Sequence, residues 1–312
     1  MARLAVIIPV HNRKEHTLAC LRQLVGIDSA GCDVQIVIVD DGSTDGTRQA
    51  INEHFPDTVV LQGDGELWWT GAINRGVRFA LDERYDYVLL LNDDLKLDPR
   101  FLSELWRVAE TRPDALVSSI KLRETNNSNL EIISAGFMVE GRLHELVNTY
   151  AGQHVLERTF SSNLECDALT GASLLIPTGI FEQIGLLDAR GYPHNWADLE
   201  FTRRAKLAGC SCVVAVASKI FTDANPRYHS SYLTNASRRA YIRNLFDDKK
   251  YNYGFKSIWR MSYLHKPFTV GTLIYVRRML GQIRWTILKI VLTNNALKRY
   301  ARERQLRRRE RI

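Results

Sequence analysis

Residues 87–99 have the sequence YVLLLNDDLKLDP, which joins a strongly apolar run to an acidic turn. Residues 87–91 are aromatic, β-branched or leucine, a composition that predicts a strand buried on both faces. Asn92, Asp93 and Asp94 follow directly, at the carboxyl end of that strand. Because ionised carboxylates are costly to desolvate, two in succession there favour a divalent cation that carries substrate phosphates. The alternative is an Asx turn that leads into a helix near residue 98.

Two apolar runs upstream also end in polar turns. Residues 4–10 form the first predicted strand, and residues 34–39 (VQIVIV) form a second strand that ends at Asp40 and Asp41. A short third strand covers residues 59–61. Helical periodicity between the strands predicts βα units and therefore a parallel sheet. Ligands bind at the carboxyl edge of such sheets, so these acidic turns are expected to share one site.

The segment between the third and fourth strands is rich in glycine and tryptophan. Its glycines permit close backbone approach, and helical spacing begins at about Ala72. We expect Trp68 and Trp69 in the preceding loop, either as a pocket wall or as core packing. After residue 101 the predicted elements are a helix at 101–110, short strands and turns at 116–160, a strand at 172–176, helices at 178–184 and 198–207, a strand at 212–217 and a helix at 237–246.

Composition excludes several classes of protein. The five cysteines are an odd number without metal-ligand spacing, which indicates reduced, buried thiols and a cytoplasmic location. The apolar run at residues 4–10 is too short for a signal peptide, and no window of 18 uncharged apolar residues predicts a membrane span.

Positive charge is concentrated at the carboxyl end. Residues 256–312 carry 15 Lys and Arg against two Glu, whereas residues 1–255 carry 27 against 33. Residues 270–292 predict an amphipathic basic helix. This helix is expected to lie on an anionic membrane surface, or to pack on the catalytic domain or on a second subunit, which leaves a homodimer open. Specific binding of nucleic acid is disfavoured because the body is acidic. The apolar face of the predicted helix holds Leu273, Val276, Leu280, Ile283, Ile287, Ile290 and Val291. Its basic residues, Arg277, Arg278, Arg284 and Lys289, are expected on the opposite face.

Seven motifs in order resemble those of inverting family 2 glycosyltransferases, within the branch that includes bacterial rhamnosyltransferases. They are VIIPVHNR (6–13), IVIVDDGSTDGT (36–47), LWWTGAINRG (67–76), LLLNDD (89–94), TGASLLIP (170–177), WADLEF (196–201) and YHSSYLTNAS with YIRN (228–244). The resemblance implies an α/β chain with the GT-A fold, a central mostly parallel sheet flanked by helices, and a helical basic appendage. Residues 1–255 would form the catalytic domain, divided at about residue 115 into nucleotide-binding and acceptor-binding halves, and 256–312 the appendage.

The resemblance also implies a role for individual residues. Asp94 and His229 match metal-binding positions for magnesium or manganese, although Asn92 replaces the usual first Asp of that motif. Arg243 would contact the donor diphosphate. The nucleotide-binding residues implied are Pro9, His11, Arg13, Asp40, Asp41, Trp69, Gly71, Asn74, Asn92 and Asp93, and the sugar or acceptor pocket would contain Trp68, Gly171, Trp196 and Glu200.

The implied catalytic residue is Asp198, in the first turn of its helix, where the helix dipole favours a carboxylate. An acceptor hydroxyl must lose a proton as it attacks the anomeric carbon, and Asp198 is the expected general base. Ala197 and Glu200 depart from the family pattern around it, and Glu200 as base is the rival assignment.

The reaction implied is an inverting transfer of L-rhamnose from dTDP-L-rhamnose to a hydroxyl of a lipid-linked or polymeric glycan. It would serve bacterial surface polysaccharide synthesis at the inner face of the cell membrane. Alternatives are another donor, such as UDP-galactofuranose or a UDP-hexose, and a degenerate transferase kept as a membrane assembly partner. Nucleotidyl transfer would require a glycine-rich first turn, whereas the first turn here is PVHNR.

Overall fold

A computed structural model describes residues 1–125, 129–155, 160, 162–223, 237–246, 254–297 and 299–300. The chain divides into two compact units, Met1–Asp223 and Ala224–Ile312. The predicted boundary at residue 255 stays a prediction about domain organisation.

The first unit opens with alternating strands and helices, as the apolar periodicity predicts. The strands β1 (Arg3–Val10), β2 (Asp33–Asp40), β3 (Val59–Gln62) and β4 (Tyr87–Leu91) pair in parallel in the order β3-β2-β1-β4. The connecting helices are α1 (Lys14–Val25), α2 (Thr47–His54) and α3 (Trp68–Asp82). Helix α3 begins four residues before the predicted start, so both tryptophans lie in its first turn and not in a loop.

The second half of this unit extends the same sheet. An antiparallel strand, β11 (Ser173–Pro177), lies between β4 and β6 (Ala115–Glu124), and β12 (Ser211–Phe221) pairs in parallel with β6. Six strands, β1 to β4 with β6 and β12, therefore run in one direction, and the predicted mostly parallel sheet is confirmed. The remaining elements are β5 (Lys96–Leu97), α4 (Phe101–Thr111), β7 (Leu130–Ser134), β8 (Met138–Glu140), β9 (Glu145–Val147), β10 (Leu164–Glu165), α5 (Thr178–Ile184) and α6 (Ala197–Leu207).

Apolar side chains fill both faces of the sheet. In β1, Ala5 and Ile7 belong to one buried cluster, whereas Leu4, Val6 and Ile8 belong to the other. Successive side chains of a strand point to opposite faces, so the continuous apolar run seen in the sequence is what a sheet covered on both sides requires. All five cysteines are buried free thiols, as predicted.

The second unit is helical in the part that the structure describes. It contains α7 (Arg238–Phe246), α8 (Phe255–Tyr263) and α9 (Phe268–Val291). Among the described residues, none of the helices is both long and apolar enough to cross a membrane.

Candidate active site

Parallel pairing brings three polar turns to one edge of the sheet. Strand β1 ends at Val10, β2 ends at Asp40 and β4 ends at Leu91, and these three strands are direct neighbours. The turns that follow them therefore lie side by side, at the edge where open α/β sheets bind ligands. Because β11 is antiparallel to β4, the residues that precede β11 reach the same edge.

An ion pair links the first turn to the acidic turn after β4. Arg13 Nε donates to Asp93 Oδ2 at 3.0 Å, and Thr17 Oγ1 donates to the same oxygen at 3.3 Å. Asp93 is only 6% exposed. Burial raises the pKa of Asp93, with Arg13 and Thr17 opposing the rise. The arrangement makes Asp93 a structural partner of Arg13 and leaves the neighbouring carboxylate as the accessible one.

Asp94 is the accessible carboxylate of this turn. Its side chain is 43% exposed, and Arg13 Nη2 lies 3.4 Å from Asp94 Oδ2. One guanidinium thus contacts both carboxylates and lowers their mutual repulsion. Asp94 remains placed to contact a ligand at the sheet edge.

The two aspartates after β2 are both buried but have different partners. Asp41 Oδ1 accepts from the Gly65 N–H at 2.8 Å, and Asp41 Oδ2 accepts from the Trp68 N–H at 3.0 Å. A Cβ at Gly63 would collide with the Asp41 side chain, so this approach requires glycine. Asp41 therefore anchors the loop that leads into α3.

Asp40 is less fully engaged than its neighbour. Its Oδ1 accepts from the Ser43 N–H at 2.9 Å, and within the described ranges Oδ2 accepts no hydrogen bond. His11 Nδ1 lies 2.5 Å from the Asp41 carbonyl oxygen, which joins the first turn to the second. Pro9 lies in β1 beside Val39 of β2. Of the two aspartates, Asp40 is the one with an oxygen left for a ligand.

A tryptophan connects the acidic turn to the start of β11. Trp69 Nε1 donates to Asn92 Oδ1 at 3.1 Å. A Cβ at Gly171 would lie 2.7 Å from Trp69 Cη2 and 3.1 Å from Asp198 Cβ, which indicates that both side chains pack on this glycine. Asn92, Trp69, Gly171 and Asp198 therefore form one contiguous group.

Asp198 is held by backbone donors. Its Oδ2 accepts from the Gly171 N–H at 2.8 Å, and Oδ1 accepts from the Leu199 N–H at 2.9 Å. Asp198 as a residue is half-buried. Burial raises the pKa of Asp198, while the two N–H groups and the charge of Lys121 oppose the rise. A carboxylate with a raised pKa and a fixed orientation is suited to accept a proton.

Lys121 is a site residue that the sequence reasoning missed. Ser118 of β6 pairs with Leu174 of β11, so Lys121, three residues further along β6, lies at the level of Gly171. Burial lowers the pKa of Lys121, and the charges of Asp198 and Asp94 oppose this shift. The charge of Lys121 therefore acts on both carboxylates. A lysine inside the buried run ALVSSIKLRE was the signal available in the sequence.

Glu200, two residues after Asp198 on α6, has a different environment. Arg204 Nε donates to Glu200 Oε1 at 2.9 Å, and Arg204 Nη2 donates to Oε2 at 3.0 Å. Arg204 also donates to the carbonyl oxygens of Ile184 and Leu186. Both oxygens of Glu200 are engaged in an ion pair that fastens α6 to the segment after α5, a placement that disfavours Glu200 as the base.

Three other predicted residues support the framework of the site. Asn74 is buried and exchanges two hydrogen bonds with the backbone of Leu187, at 2.8 and 3.1 Å. Trp196 has a left-handed backbone conformation (φ 73°) immediately before α6. The Trp68 ring packs edge-on against His194, with 5.8 Å between ring centroids. These contacts tie α3 to the loop that positions Asp198.

The remaining predicted residues are placed as follows. Gly71 lies in α3, packed against Leu67. Arg243 is an exposed residue of α7, in the second unit. His229 lies outside the residues that the structure describes, so its predicted contact with a metal stays a prediction.

The chemistry of the acidic turn fits a divalent cation. In the part of the chain described here, no group of three His, Cys, Asp or Glu side chains could hold a metal ion. Magnesium is commonly bound by only one or two carboxylates together with substrate phosphates, and manganese also prefers oxygen ligands. The exposed carboxylate of Asp94 meets that requirement, provided that the donor diphosphate supplies the other oxygens.

The mostly parallel α/β sheet and the carboxylates gathered at its carboxyl edge are those expected of the GT-A class of nucleotide-sugar transferases. The chain belongs to glycosyl transferase family 2, whose family model matches residues 5–167. It is therefore a glycosyltransferase, as its motifs predicted.

Known proteins resemble this chain over most of its length. An N-acetylglucosaminyl-diphospho-decaprenol L-rhamnosyltransferase of Mycobacterium tuberculosis is 24% identical over 227 residues, which cover 67% of this chain and 74% of the relative. The structure of GalNAc-T7 with UDP, GalNAc and Mn²⁺ aligns with a TM-score of 0.57 and 12% identity. That alignment covers 86% of this chain and 52% of the GalNAc-T7 chain, so this chain spans about half of that protein.

A second solved structure gives the same fold. The mannosyltransferase PcManGT from Pyrobaculum calidifontis, in complex with GDP-Man and Mn²⁺, aligns with a TM-score of 0.54 and 16% identity. The alignment covers 97% of this chain and 80% of the mannosyltransferase. Both alignments confirm the predicted GT-A fold.

Proposed function

We propose that this glycosyltransferase inverts the anomeric centre of its donor and uses Asp198 as the general base. The observation that carries the proposal is the contiguous group of Asn92, Trp69, Gly171 and Asp198 at the carboxyl edge of the sheet. It sets an oriented carboxylate of raised pKa beside the acidic turn. Direct attack by an acceptor hydroxyl, with its proton passing to Asp198, inverts the anomeric carbon.

We propose dTDP-L-rhamnose as the donor and a hydroxyl of a lipid-linked glycan as the acceptor, at the inner face of the cell membrane. The name of the mycobacterial relative, a rhamnosyltransferase for a diphospho-decaprenol glycan, supports this choice. Asp40 fits a pyrimidine nucleotide of either kind, since its Oδ2 could accept the N3–H of thymine or of uracil. Arg13 would keep the neighbouring carboxylates oriented towards the donor.

A divalent cation at Asp94 belongs to the same proposal. Both structural neighbours were solved with Mn²⁺ and a nucleotide or nucleotide sugar. When bound, the cation would neutralise charge on the departing nucleoside diphosphate. Asp94 would be its protein ligand among the described residues, and His229 is proposed as a second.

A donor panel tests the donor and the metal together. We expect dTDP-L-rhamnose with Mn²⁺ to raise the melting temperature more than UDP-galactofuranose, UDP-glucose or GDP-mannose, because a ligand at 100 times its Kd adds about 2.7 kcal/mol of stability. Asp94→Asn should weaken the Mn²⁺-dependent part of the donor affinity about tenfold, which corresponds to about 1.4 kcal/mol of binding free energy.

The exposed Asp114, at the amino end of β6, provides the matched control for that panel. Asp114→Asn should respond to donor and Mn²⁺ as the wild type does. A larger shift with another nucleotide sugar would contradict the rhamnose donor. Sugar transfer that survives saturating EDTA, or a full Mn²⁺ effect in Asp94→Asn, would contradict the metal assignment.

Lys121 is proposed to keep Asp198 ionised. Its charge lowers the pKa of Asp198, so Lys121→Met should raise that pKa further and move the acid limb of the kcat profile to higher pH. If the acid limb moves to higher pH by one unit, kcat at a fixed pH on the acid side of the limb falls about tenfold. Lys96→Met removes an exposed lysine and should leave the profile unchanged. An acid limb that stays in place in Lys121→Met would refute this role.

A further inference from the structure

Helix α9 exposes the apolar stripe that its sequence predicts. We define the stripe as the seven residues Leu273, Val276, Leu280, Ile283, Ile287, Ile290 and Val291, whose side chains are between 48% and 70% exposed. They lie within an arc of about 100° on a helix of 100° per residue and extend over about 27 Å of its axis. A contiguous apolar surface of this kind marks an interaction site.

The opposite side of α9 carries polar groups and is buried. Gln282 and Lys289 are 9% and 2% exposed. Gln282 Nε2 donates to the Tyr241 hydroxyl at 2.8 Å, and Lys289 Nζ donates to Asn294 Oδ1 at 3.1 Å. The helix therefore buries Ile274 together with these two hydrogen-bonding side chains, and it directs the seven large apolar side chains of the stripe outwards. A surface helix usually turns its main apolar face inwards.

Positive charge accompanies the stripe. The prediction that the basic residues lie opposite the stripe is wrong for Arg277 and Arg284, which are exposed and lie within 40° of Leu273 around the helix. Lys289 does lie opposite, but it is buried. The 15 basic residues of 256–312 include the run RERQLRRRERI that ends the sequence. An apolar stripe bordered by arginine side chains is complementary to a surface that is apolar inside and anionic at its boundary.

We propose that α9 binds the surface of an anionic lipid bilayer. The stripe enters the boundary between headgroups and acyl chains, and Arg277 and Arg284 contact the headgroup phosphates. The exposed charges of Arg277 and Arg284 favour a helix that lies along the surface, because charge at the centre of a bilayer is costly. This surface would bring the enzyme to a lipid-linked acceptor.

Charge favours the bilayer over a second copy of the chain. A two-fold symmetric contact through the stripe would place the same patch of both copies together. The basic patches around Arg277 and Arg284 of the two copies would then be brought together, and like charges in contact cost free energy. With an anionic surface, the same basic residues interact favourably.

Vesicle flotation tests the proposal without donor or acceptor, so its outcome is independent of the proposed reaction. We expect the full chain to float with vesicles of phosphatidylglycerol and phosphatidylcholine, and to float far less with phosphatidylcholine alone or at high salt. Leu280→Glu combined with Ile287→Glu should lower the bound fraction by about tenfold or more, since two charges replace apolar side chains in the stripe.

The matched control is Val25→Glu combined with Leu207→Glu. Both side chains are exposed apolar residues of the first unit, and this variant should float as the wild type does. Circular dichroism and a cooperative thermal unfolding transition check that both variants fold. Unchanged flotation of the stripe variant, or equal wild-type binding to neutral vesicles, would overturn the proposal. So would a wild-type dimer that the stripe variant converts to monomer while neither protein floats.

Discussion

Asp198→Asn should lower kcat by roughly 10²–10⁴-fold, the usual contribution of a general base. The affinity for the donor should stay close to that of the wild type. The Asp198 carboxylate contacts the Gly171 and Leu199 N–H groups, whereas the diphosphate is proposed to bind at the turn that contains Asp94. The amide can accept from only one of these N–H groups, so a loss of about 1–3 kcal/mol in stability is also expected.

Single-turnover transfer and the donor-induced thermal shift separate the two effects. Since burial raises the pKa of Asp198, the wild-type rate should decline on acidification at a higher pH than the ordinary pKa of an aspartate. The base is active when ionised, so activity lies above that pKa and falls below it. Full turnover in Asp198→Asn would refute the assignment of the base.

Glu200→Gln should instead reduce stability, by about 1–3 kcal/mol, because it removes the carboxylate that pairs with the partly buried Arg204 guanidinium. Arg204 would keep its bonds to the carbonyl oxygens of Ile184 and Leu186 but lose its ion pair with the carboxylate of Glu200. The folded fraction should retain a kcat within a few-fold of wild type. Urea denaturation at constant pH measures the change.

A surface ion pair on α4 serves as the control for this substitution. Arg107 Nη2 lies 2.9 Å from Oε2 of Glu104, three residues earlier in the helix, and Arg107 is mostly exposed. Glu104→Gln should cost less than about 1 kcal/mol, as exposed pairs do. If Glu200→Gln is as stable as wild type but loses turnover, Glu200 and not Asp198 is the base.

The elements and the edge that holds the site could be predicted from local pattern. Apolar runs, helical spacing and polar turns after β1, β2 and β4 depend on residues close in sequence, and the sheet follows from them. This is why Asp40 and Asp94 were candidates before any contact was known, whereas Asp198 was a candidate through the family resemblance of its segment, WADLEF.

The partners of individual side chains could not be predicted in the same way. Asn74 was expected to bind nucleotide, but its partner is Leu187, 113 residues away. Asp41 was expected to bind the donor, but its oxygens cap the loop before α3. Helix α3 starts early because this cap satisfies the Trp68 N–H, a contact 27 residues distant. Such roles depend on tertiary packing, which periodicity does not encode.

The anchoring of residues 65–68 by Asp41 also bears on the thermodynamics of donor association. Three N–H groups of that loop already have a carboxylate partner in the folded chain, so the loop is ordered before any ligand arrives. Ordering a flexible segment on binding costs conformational entropy, and a preorganised one avoids that cost. The conformational entropy of residues 65–68 is therefore lost when the chain folds and not when the donor binds. Affinity for the donor is not reduced by this loss.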